Sequence, residues 1–238
     1  MKKTLIKLLQ ELRTYIVIWL FVFLLLICGS FIFKQNIYNI ITLPLYNNKN
    51  ISSLTAENTN IFIYTSIFES FTTDLMLSIY TALFLSLPII YILIYRFISK
   101  SLYKKEKRVV LPLFIISFLL VIIAIIINYN ILFPRIINFF LQITTIAKPM
   151  LKISDYVITF FSLTTILCLI LQFPIILIIL KKFGFINNNI LVKNRKIAIV
   201  IMFIISAIIT PPDILSQIIV ACLLMLIYEI TNLILKKL

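Results

Sequence analysis

The stretch VVLPLFIISFLLVIIAIIINYNILF, residues 109–133, decides the fold class of this 238-residue chain. It follows the basic run KKEKR at residues 104–108 and contains no charged residue. A helix needs roughly 20 mostly apolar residues to cross a bilayer, and this stretch is longer than that. A basic run that ends where an apolar run begins is typical of a membrane protein whose charged loops stay out of the lipid. The sequence therefore predicts a membrane-spanning helix here.

Outward from this stretch, the rest of the chain has the same character. The chain is 62% hydrophobic and 13% charged, whereas soluble domains are about 45–50% apolar and about 25% charged. This excludes a soluble globular domain and a disordered chain. We therefore predict an all-α membrane protein of six transmembrane helices in a single domain, residues 1–238. The fifth apolar run has only 13 residues, a length also compatible with a re-entrant or buried segment. The other five predicted spans are residues 14–33, 75–95, 156–180, 197–209 and 214–235.

The basic residues indicate how such a bundle is oriented. With six spans, 17 of the 22 Lys and Arg residues fall in the two termini and in the second and fourth connections. Because basic loops remain on the cytoplasmic side, both termini are predicted to face the cytoplasm, or the matrix in an organelle. The net charge of +14 then reports orientation, and we expect no nucleic-acid partner. The first apolar run is too long for a cleaved signal peptide and is expected to remain as an anchor.

Several chemistries are excluded by composition. The chain has no His, which excludes bis-imidazole haem, His-bearing zinc sites and His-dependent catalytic triads. Its three Cys residues lie apart within apolar runs and form no disulfide framework. No nucleotide-binding loop is present. We expect a protein that is not an enzyme and that has no cofactor or metal.

Five short strings are more specific than hydropathy. They are LQELR at residues 9–13, FISKSLYKKEKR at 97–108, FP at 173–174, TPPDILSQ at 210–217 and YEI at 228–230. In this order along six spans they resemble the TatC family, the multispanning core subunit of the twin-arginine protein translocase. The family patterns are ELR, FIxPxLYxxEK/R, FP after an acidic residue, and LTPPDxxSQ with a later FEI. The resemblance covers nearly the whole chain and implies six helices with cytoplasmic termini and a short fifth helix.

The resemblance also implies where cargo binds. In the family, the acids at two of these motif positions are implicated in recognising the twin-arginine signal. Carried over, they are Glu11 and Glu106. From the residues alone, the simpler interpretation is local pairing, of Glu11 with Lys7 and of Glu106 with its lysine neighbours. The other residues of the predicted signal-binding set are Arg13, Phe97, Leu102, Tyr103 and Arg108.

The resemblance also implies a second set of residues, which would contact single-span partner subunits. Gln172 departs from the family, which usually has a Glu two residues before the proline of the fourth helix, so a role that needs ionisation is not expected there. Alternatively, Gln172 is a polar residue satisfied within the bundle, and Asp213 caps the sixth helix. Glu229, inside the sixth apolar run, either snorkels or pairs across the bundle. The predicted partner-contact residues are Gln172, Pro211, Pro212, Asp213, Ser216 and Gln217.

The resemblance thus implies a translocase core that binds the twin-arginine signal of folded cargo. It would act with TatA/TatB-like single-span subunits, as a homo-oligomer, using the proton-motive force. The excess of Ile, Lys, Asn and Phe suggests an AT-rich genome, which favours the mitochondrial inner membrane, with a bacterial cytoplasmic membrane as the alternative. A small-solute secondary transporter is the alternative function; it is disfavoured because the polar signatures concentrate on the cytoplasmic face and in the outside turn. A respiratory subunit is disfavoured by the lack of His.

Overall fold

A computed structural model describes residues 2–46, 62–101, 103–143, 151–182, 195–209 and 214–237, and every structural statement below concerns these residues. They are helical except for a few turn residues and a two-residue parallel strand pair, in which Phe62 lies opposite Leu151 and Ile63 opposite Lys152. A π-helical turn occupies Asn128–Leu132. The elements in chain order are α1 Lys2–Ile32, α2 Lys34–Tyr46, β1 Phe62–Ile63, α3 Ile67–Ser101, α4 Lys104–Ile127, α5 Phe133–Ile143, β2 Leu151–Lys152, α6 Ile153–Lys182, α7 Arg195–Ile209 and α8 Ile214–Lys237.

Four stretches of these helices are long and apolar enough to cross a membrane: Leu9–Ile32, Ile67–Lys100, Val110–Asn138 and Ile153–Ile179. The 15 residues of α7 extend only about 22 Å at 1.5 Å per residue, less than the roughly 30 Å hydrocarbon core. In α8 the apolar stretch is Val220–Ile230. The prediction of an all-helical membrane fold is therefore confirmed apart from the short strand pair. The count of six spans and the orientation of the termini stay predictions.

The outward faces of these helices are apolar. On α1, Leu20, Phe21, Leu24 and Leu25 are all about half exposed or more in the isolated chain. Such a continuous apolar surface is unusual on a soluble monomer. In a bilayer it faces lipid, while the backbone polar groups are satisfied inside each helix.

The described residues group into two compact units. The first comprises Met1–Leu43, Phe62–Phe118 and Leu151–Ile158. Within it α1 packs along α3, and Trp19 Nε1 donates a hydrogen bond to Ser86 Oγ at 3.3 Å. The single-domain organisation predicted from the sequence is not tested by this grouping and stays a prediction.

Among the described residues, the second unit comprises residues 44–46, 119–143, 159–182, 195–209 and 214–237. Its core is formed by Ala124, Leu167 and Leu171, each at most 1% exposed, with partly buried residues of α8 packed against them. Beside this core Asn128, fully buried in the π-helical turn, donates to Thr164 Oγ1 at 2.7 Å. A helix that carries a buried amide is thus joined to its neighbour by polar as well as apolar contacts.

Two polar clusters in the first unit stabilise the ends of its helices. Glu69, in the first turn of α3, accepts hydrogen bonds from Thr65 N, Thr65 Oγ1, Ser66 N and Ser154 Oγ, with Lys152 Nζ 3.6 Å away. A glutamate that reaches back to the backbone N–H groups before a helix is a capping arrangement. It explains why α3 starts at Ile67, eight residues before the predicted span.

The second cluster connects α2 to α3. Asp74 is paired with Lys34 Nζ at 2.5 Å and accepts a hydrogen bond from Tyr38 Oη at 3.0 Å. Lys34 also lies over the ring of Phe31, 5.0 Å from its centroid. Burial, and secondly the charge of Asp74, raise the pKa of Tyr38 well above its ordinary value. The phenol therefore stays protonated and remains a hydrogen-bond donor.

Candidate functional site

The described residues of the predicted signal-binding set belong to the first unit, on α1, near the end of α3, just before α4 and in its first turns. Glu11 of α1 is only partly buried, and its Oε2 atom lies 3.0 Å from Nζ of Lys100, in the last turn of α3. Nearly half of each side chain is exposed. The carboxylate thus already binds a cation and remains open to solvent. Its partner comes from another helix, a contact that the sequence spacing of Glu11 and Lys7 does not predict.

Two aromatic rings complete the surroundings of this ion pair. Lys100 Nζ lies over the ring of Tyr15, 5.4 Å from the centroid. The edge of one ring meets the face of the other where Tyr15 contacts Phe97, with centroids 6.4 Å apart. The ammonium group therefore lies near both a carboxylate and an aromatic face, the two groups that bind cations best in proteins.

The remaining residues of the predicted signal-binding set are only partly described. Arg13 and Arg108 are exposed. Tyr103 is 79% exposed, and its carbonyl accepts a hydrogen bond from Lys107 N at 3.0 Å as α4 begins. Leu102 lies outside the described residues. Glu106 belongs to α4, but its side chain lies outside the described part, so its proximity to Glu11 stays a prediction.

Sequence reasoning missed two residues of this site, Tyr15 and Lys100. A usable signal was present, because residues four apart on a helix share one face. Tyr15 is four residues after Glu11, and Lys100 is three residues after Phe97. What the sequence could not supply is the pairing of these two faces.

The described residues of the predicted partner-contact set belong to the second unit. Gln172 of α6 and Gln217 of α8 are half-buried. Pro211, Pro212 and Asp213 lie outside the described residues, as does the side chain of Ser216. Capping of α8 by Asp213 and the partner contacts therefore stay predictions.

Glu229, on α8, forms an ion pair with a residue of α7. Its Oε1 atom lies 2.5 Å from Arg195 Nη2, at the start of α7. Of the two expectations for Glu229, snorkelling or pairing across the bundle, the second describes its position. The side chains are 40% and 56% exposed, so the pair lies at the surface of the isolated chain.

The part of the chain that the structure describes contains no group of three or more His, Cys, Asp or Glu residues able to hold a metal ion. The described groups around Glu11 are its carboxylate, the ammonium group of Lys100 and the rings of Tyr15 and Phe97.

Comparison with known proteins connects this geometry to a family. The family model for the Sec-independent protein translocase protein (TatC) matches residues 7–222. The TatC protein of Desulforapulum autotrophicum is 34% identical over 205 residues, covering 85% of this chain and 73% of that protein. TatC of Rickettsia prowazekii is 33% identical over 212 residues, or 87% and 82%. A tatC-like protein of Reclinomonas americana is 32% identical over 231 residues, or 94% and 84%.

The fold is similar as well. The crystal structure of the twin arginine translocase receptor TatC in DDM superposes with a TM-score of 0.74 at 29% identity, covering 95% of this chain and 98% of that one. A second crystal structure of that receptor gives a TM-score of 0.73. The resemblance drawn from the five sequence strings is thereby confirmed. This chain belongs to the TatC family of Sec-independent protein translocase proteins.

Proposed function

We propose that this multipass membrane subunit of a Sec-independent translocase, which is not an enzyme, binds the twin-arginine signal of folded cargo. Glu11 and Glu106 receive the two arginines. The surrounding side chains are those of Arg13, Phe97, Leu102, Tyr103 and Arg108. The supporting observation is that α1, which carries the first string, and α3, which carries the start of the second, are joined by the Glu11–Lys100 and Tyr15–Phe97 contacts. Residues distant in sequence thus form one cation-binding surface.

The chemistry of a carboxylate suits this ligand. A guanidinium donates two parallel hydrogen bonds to one carboxylate, which makes the pair shorter and stronger than a neutral hydrogen bond. It is also always charged and stacks on aromatic rings. Partly exposed Glu11 offers such a carboxylate, and the ammonium group paired with it lies over the ring of Tyr15. An arginine on an extended signal peptide can reach it without any rearrangement of the helices.

The test is site-specific crosslinking of a twin-arginine signal peptide to the full-length protein in membranes. Glu106→Ala and Glu106→Lys should abolish the crosslink while the protein still inserts. Asp155→Ala is the matched control, because it removes an exposed carboxylate at the start of α6, outside the site. A normal crosslink to both Glu106 variants, or equal loss in the control, would contradict the assignment.

Translocation itself requires other subunits. We assign contact with TatA/TatB-like single-span subunits to Gln172, Pro211, Pro212, Asp213, Ser216 and Gln217, in a homo-oligomeric complex driven by the proton-motive force. A photocrosslinker at Gln217, half-buried on α8, should capture a single-span subunit. The same probe at Leu226, on the same helix and 62% exposed, is the control. Capture from position 226 but not from 217 would contradict the assigned contact.

Orientation and location complete the proposal. Six spans would place both termini in the cytoplasm or matrix, and the AT-rich composition favours the mitochondrial inner membrane over a bacterial cytoplasmic membrane. The relatives from Reclinomonas americana and from bacteria are compatible with either. In a cysteine-free background, an impermeant thiol reagent added from the far side should label Lys148→Cys but not Lys237→Cys. Labelling of the second would contradict the orientation, and cell fractionation decides the membrane.

The alternative function, a small-solute secondary transporter, is disfavoured by family membership. Export of a folded twin-arginine reporter in a strain that lacks TatC distinguishes the two. Restored export supports the translocase, and uptake of a solute without export would support the transporter.

A further inference from the structure

Lys100 pairs with the carboxylate of Glu11, which the proposed function assigns to an arginine of the cargo signal. Its Nζ atom is 3.0 Å from Glu11 Oε2 and 5.4 Å from the centroid of Tyr15. An ammonium group held between a carboxylate and an aromatic face marks a position that stabilises positive charge. We call the Glu11 carboxylate and the Tyr15 ring the cation subsite.

The lysine at this position distinguishes this chain from the family pattern. In the family pattern FIxPxLYxxEK/R the fourth position is proline, and here that position is Lys100 in FISKSLY. A proline has no charge to pair with Glu11. The lysine is also compatible with the helix, because α3 continues to Ser101 and a cation in the last turn interacts favourably with the helix dipole.

The ring of Tyr15 is held in place by a second motif residue. Phe97 meets it edge to face at 6.4 Å, a favoured geometry for aromatic pairs. Phe97 lies one turn before Lys100 on α3, so one helix supplies both the support for the ring and the resident cation. Phe97 therefore acts on the subsite through Tyr15.

We propose that Tyr15 is a further cargo-binding residue and that Lys100 is an internal stand-in for the cargo arginine. This inference rests on the proposed function. When a signal peptide binds, its guanidinium takes the place of the ammonium, pairs with Glu11 through two hydrogen bonds and stacks on Tyr15. Lys100 then moves into solvent, since its side chain is already 48% exposed. The internal ion pair lowers the affinity for cargo because it must first be broken.

Variants of Lys100 test its role as a competitor, and variants of Tyr15 test its role in binding cargo. The assay measures binding of a fluorescent twin-arginine peptide to purified full-length protein. Lys100→Gln removes the competitor and should tighten binding about two- to fivefold, the range for an exposed ion pair. Tyr15→Leu should weaken binding about two- to fivefold, whereas Tyr15→Phe, which retains the ring, should bind nearly as wild type. In a Glu11→Gln background, Lys100→Gln should have no effect.

Arg96→Gln is the matched control for charge. Arg96 lies one turn before Lys100 on α3 and is exposed, and no ion pair of its side chain is found in the described part of the chain. If Arg96→Gln tightens binding as much as Lys100→Gln, the effect is general repulsion and the internal-competitor role is wrong. Unchanged or weaker binding by Lys100→Gln, or wild-type affinity in Tyr15→Leu, likewise overturns the proposal.

A labelling measurement separates this inference from the proposed function. Amine labelling of Lys100, followed by mass spectrometry, should accelerate at least twofold when arginine amide or the peptide is added, while labelling of exposed Lys196 stays constant. Equal affinity of wild type for twin-arginine and twin-lysine peptides would contradict the proposed function. The arginine amide measurement still decides the subsite in that case, because constant Lys100 labelling would refute displacement by a guanidinium.

Discussion

Asp74 is expected to be the residue whose loss most weakens the connection between α2 and α3. It pairs with Lys34 and accepts the hydrogen bond of Tyr38, and it is only 8% exposed. A hydrogen bond to a charged acceptor contributes about 1.5–3 kcal/mol. The ion pair contributes about 0.5–1 kcal/mol, because Lys34 is partly exposed and can be hydrated again. Asp74→Ala should therefore lower the free energy of unfolding by about 2–4 kcal/mol.

Asp74→Asn separates the two contributions. The amide oxygen still accepts from Tyr38, but a neutral hydrogen bond contributes only about 0.5–1.5 kcal/mol, and the ion pair is lost. The expected destabilisation is roughly half that of Asp74→Ala. For a chain of this size a loss of 1 kcal/mol lowers Tm by about 2–4 °C. Asp74→Ala should thus lower Tm by about 4–16 °C and Asp74→Asn by about half as much.

The assay is thermal unfolding in detergent, followed by circular dichroism at a fixed scan rate. Asp155→Ala is the control, since it removes an exposed carboxylate whose interaction with the start of α6 contributes at most about 1 kcal/mol. The reasoning is refuted if Asp74→Ala stays within about 2 °C of wild type. If Asp74→Asn is as destabilising as Asp74→Ala, the Tyr38 hydrogen bond contributes nothing.

Three further outcomes are expected from the same unfolding assay. The pKa of Tyr38 is raised above 10.0 in the fold, so the stability that the protonated phenol contributes is present below pH ~10 and is lost as the pH rises above it. As the pH is raised above ~10, the Tm of the wild type should therefore fall more steeply than the Tm of Tyr38→Phe. Parallel curves of Tm against pH for the two proteins would contradict this. Leu167→Ala should cost about 2–4 kcal/mol because Leu167 is fully buried, whereas Leu169→Ala should be nearly neutral because Leu169 is 67% exposed; equal costs would argue against the core. A double-mutant cycle on Arg195 and Glu229, both substantially exposed, should give at most about 1 kcal/mol, and a larger coupling would show a buried pair.

The class of the protein was predictable because hydropathy acts over contiguous residues. The run at 109–133 is apolar enough to partition into lipid by itself, and the structure places a candidate span at Val110–Asn138. The five strings were sufficient for the family, now confirmed. Boundaries were less predictable: α3 extends to Ile67 because Glu69 caps it with Thr65 and Ser154, and Ser154 comes from a distant part of the chain.

The candidate site, like the fold, was predictable from the sequence only in part. The motif acids and Phe97 could be named from the sequence, because short strings carry them. The partner of Glu11 could not, since local spacing suggests Lys7 and the structure supplies Lys100. Spacing places Tyr15 on the same helix face as Glu11, but its contact with Phe97 and Lys100 exists only because α1 packs along α3.

The sequence by itself therefore determined that this is a helical membrane protein, and it determined the family. Hydropathy and motif spacing, which carry both conclusions, are properties of neighbouring residues. Only the tertiary structure decided which cation pairs with Glu11 and which ring lies under that cation. It also decided which helices are joined by the buried acids. Those contacts join side chains from different helices, and their distances are set by helix packing and not by separation along the chain.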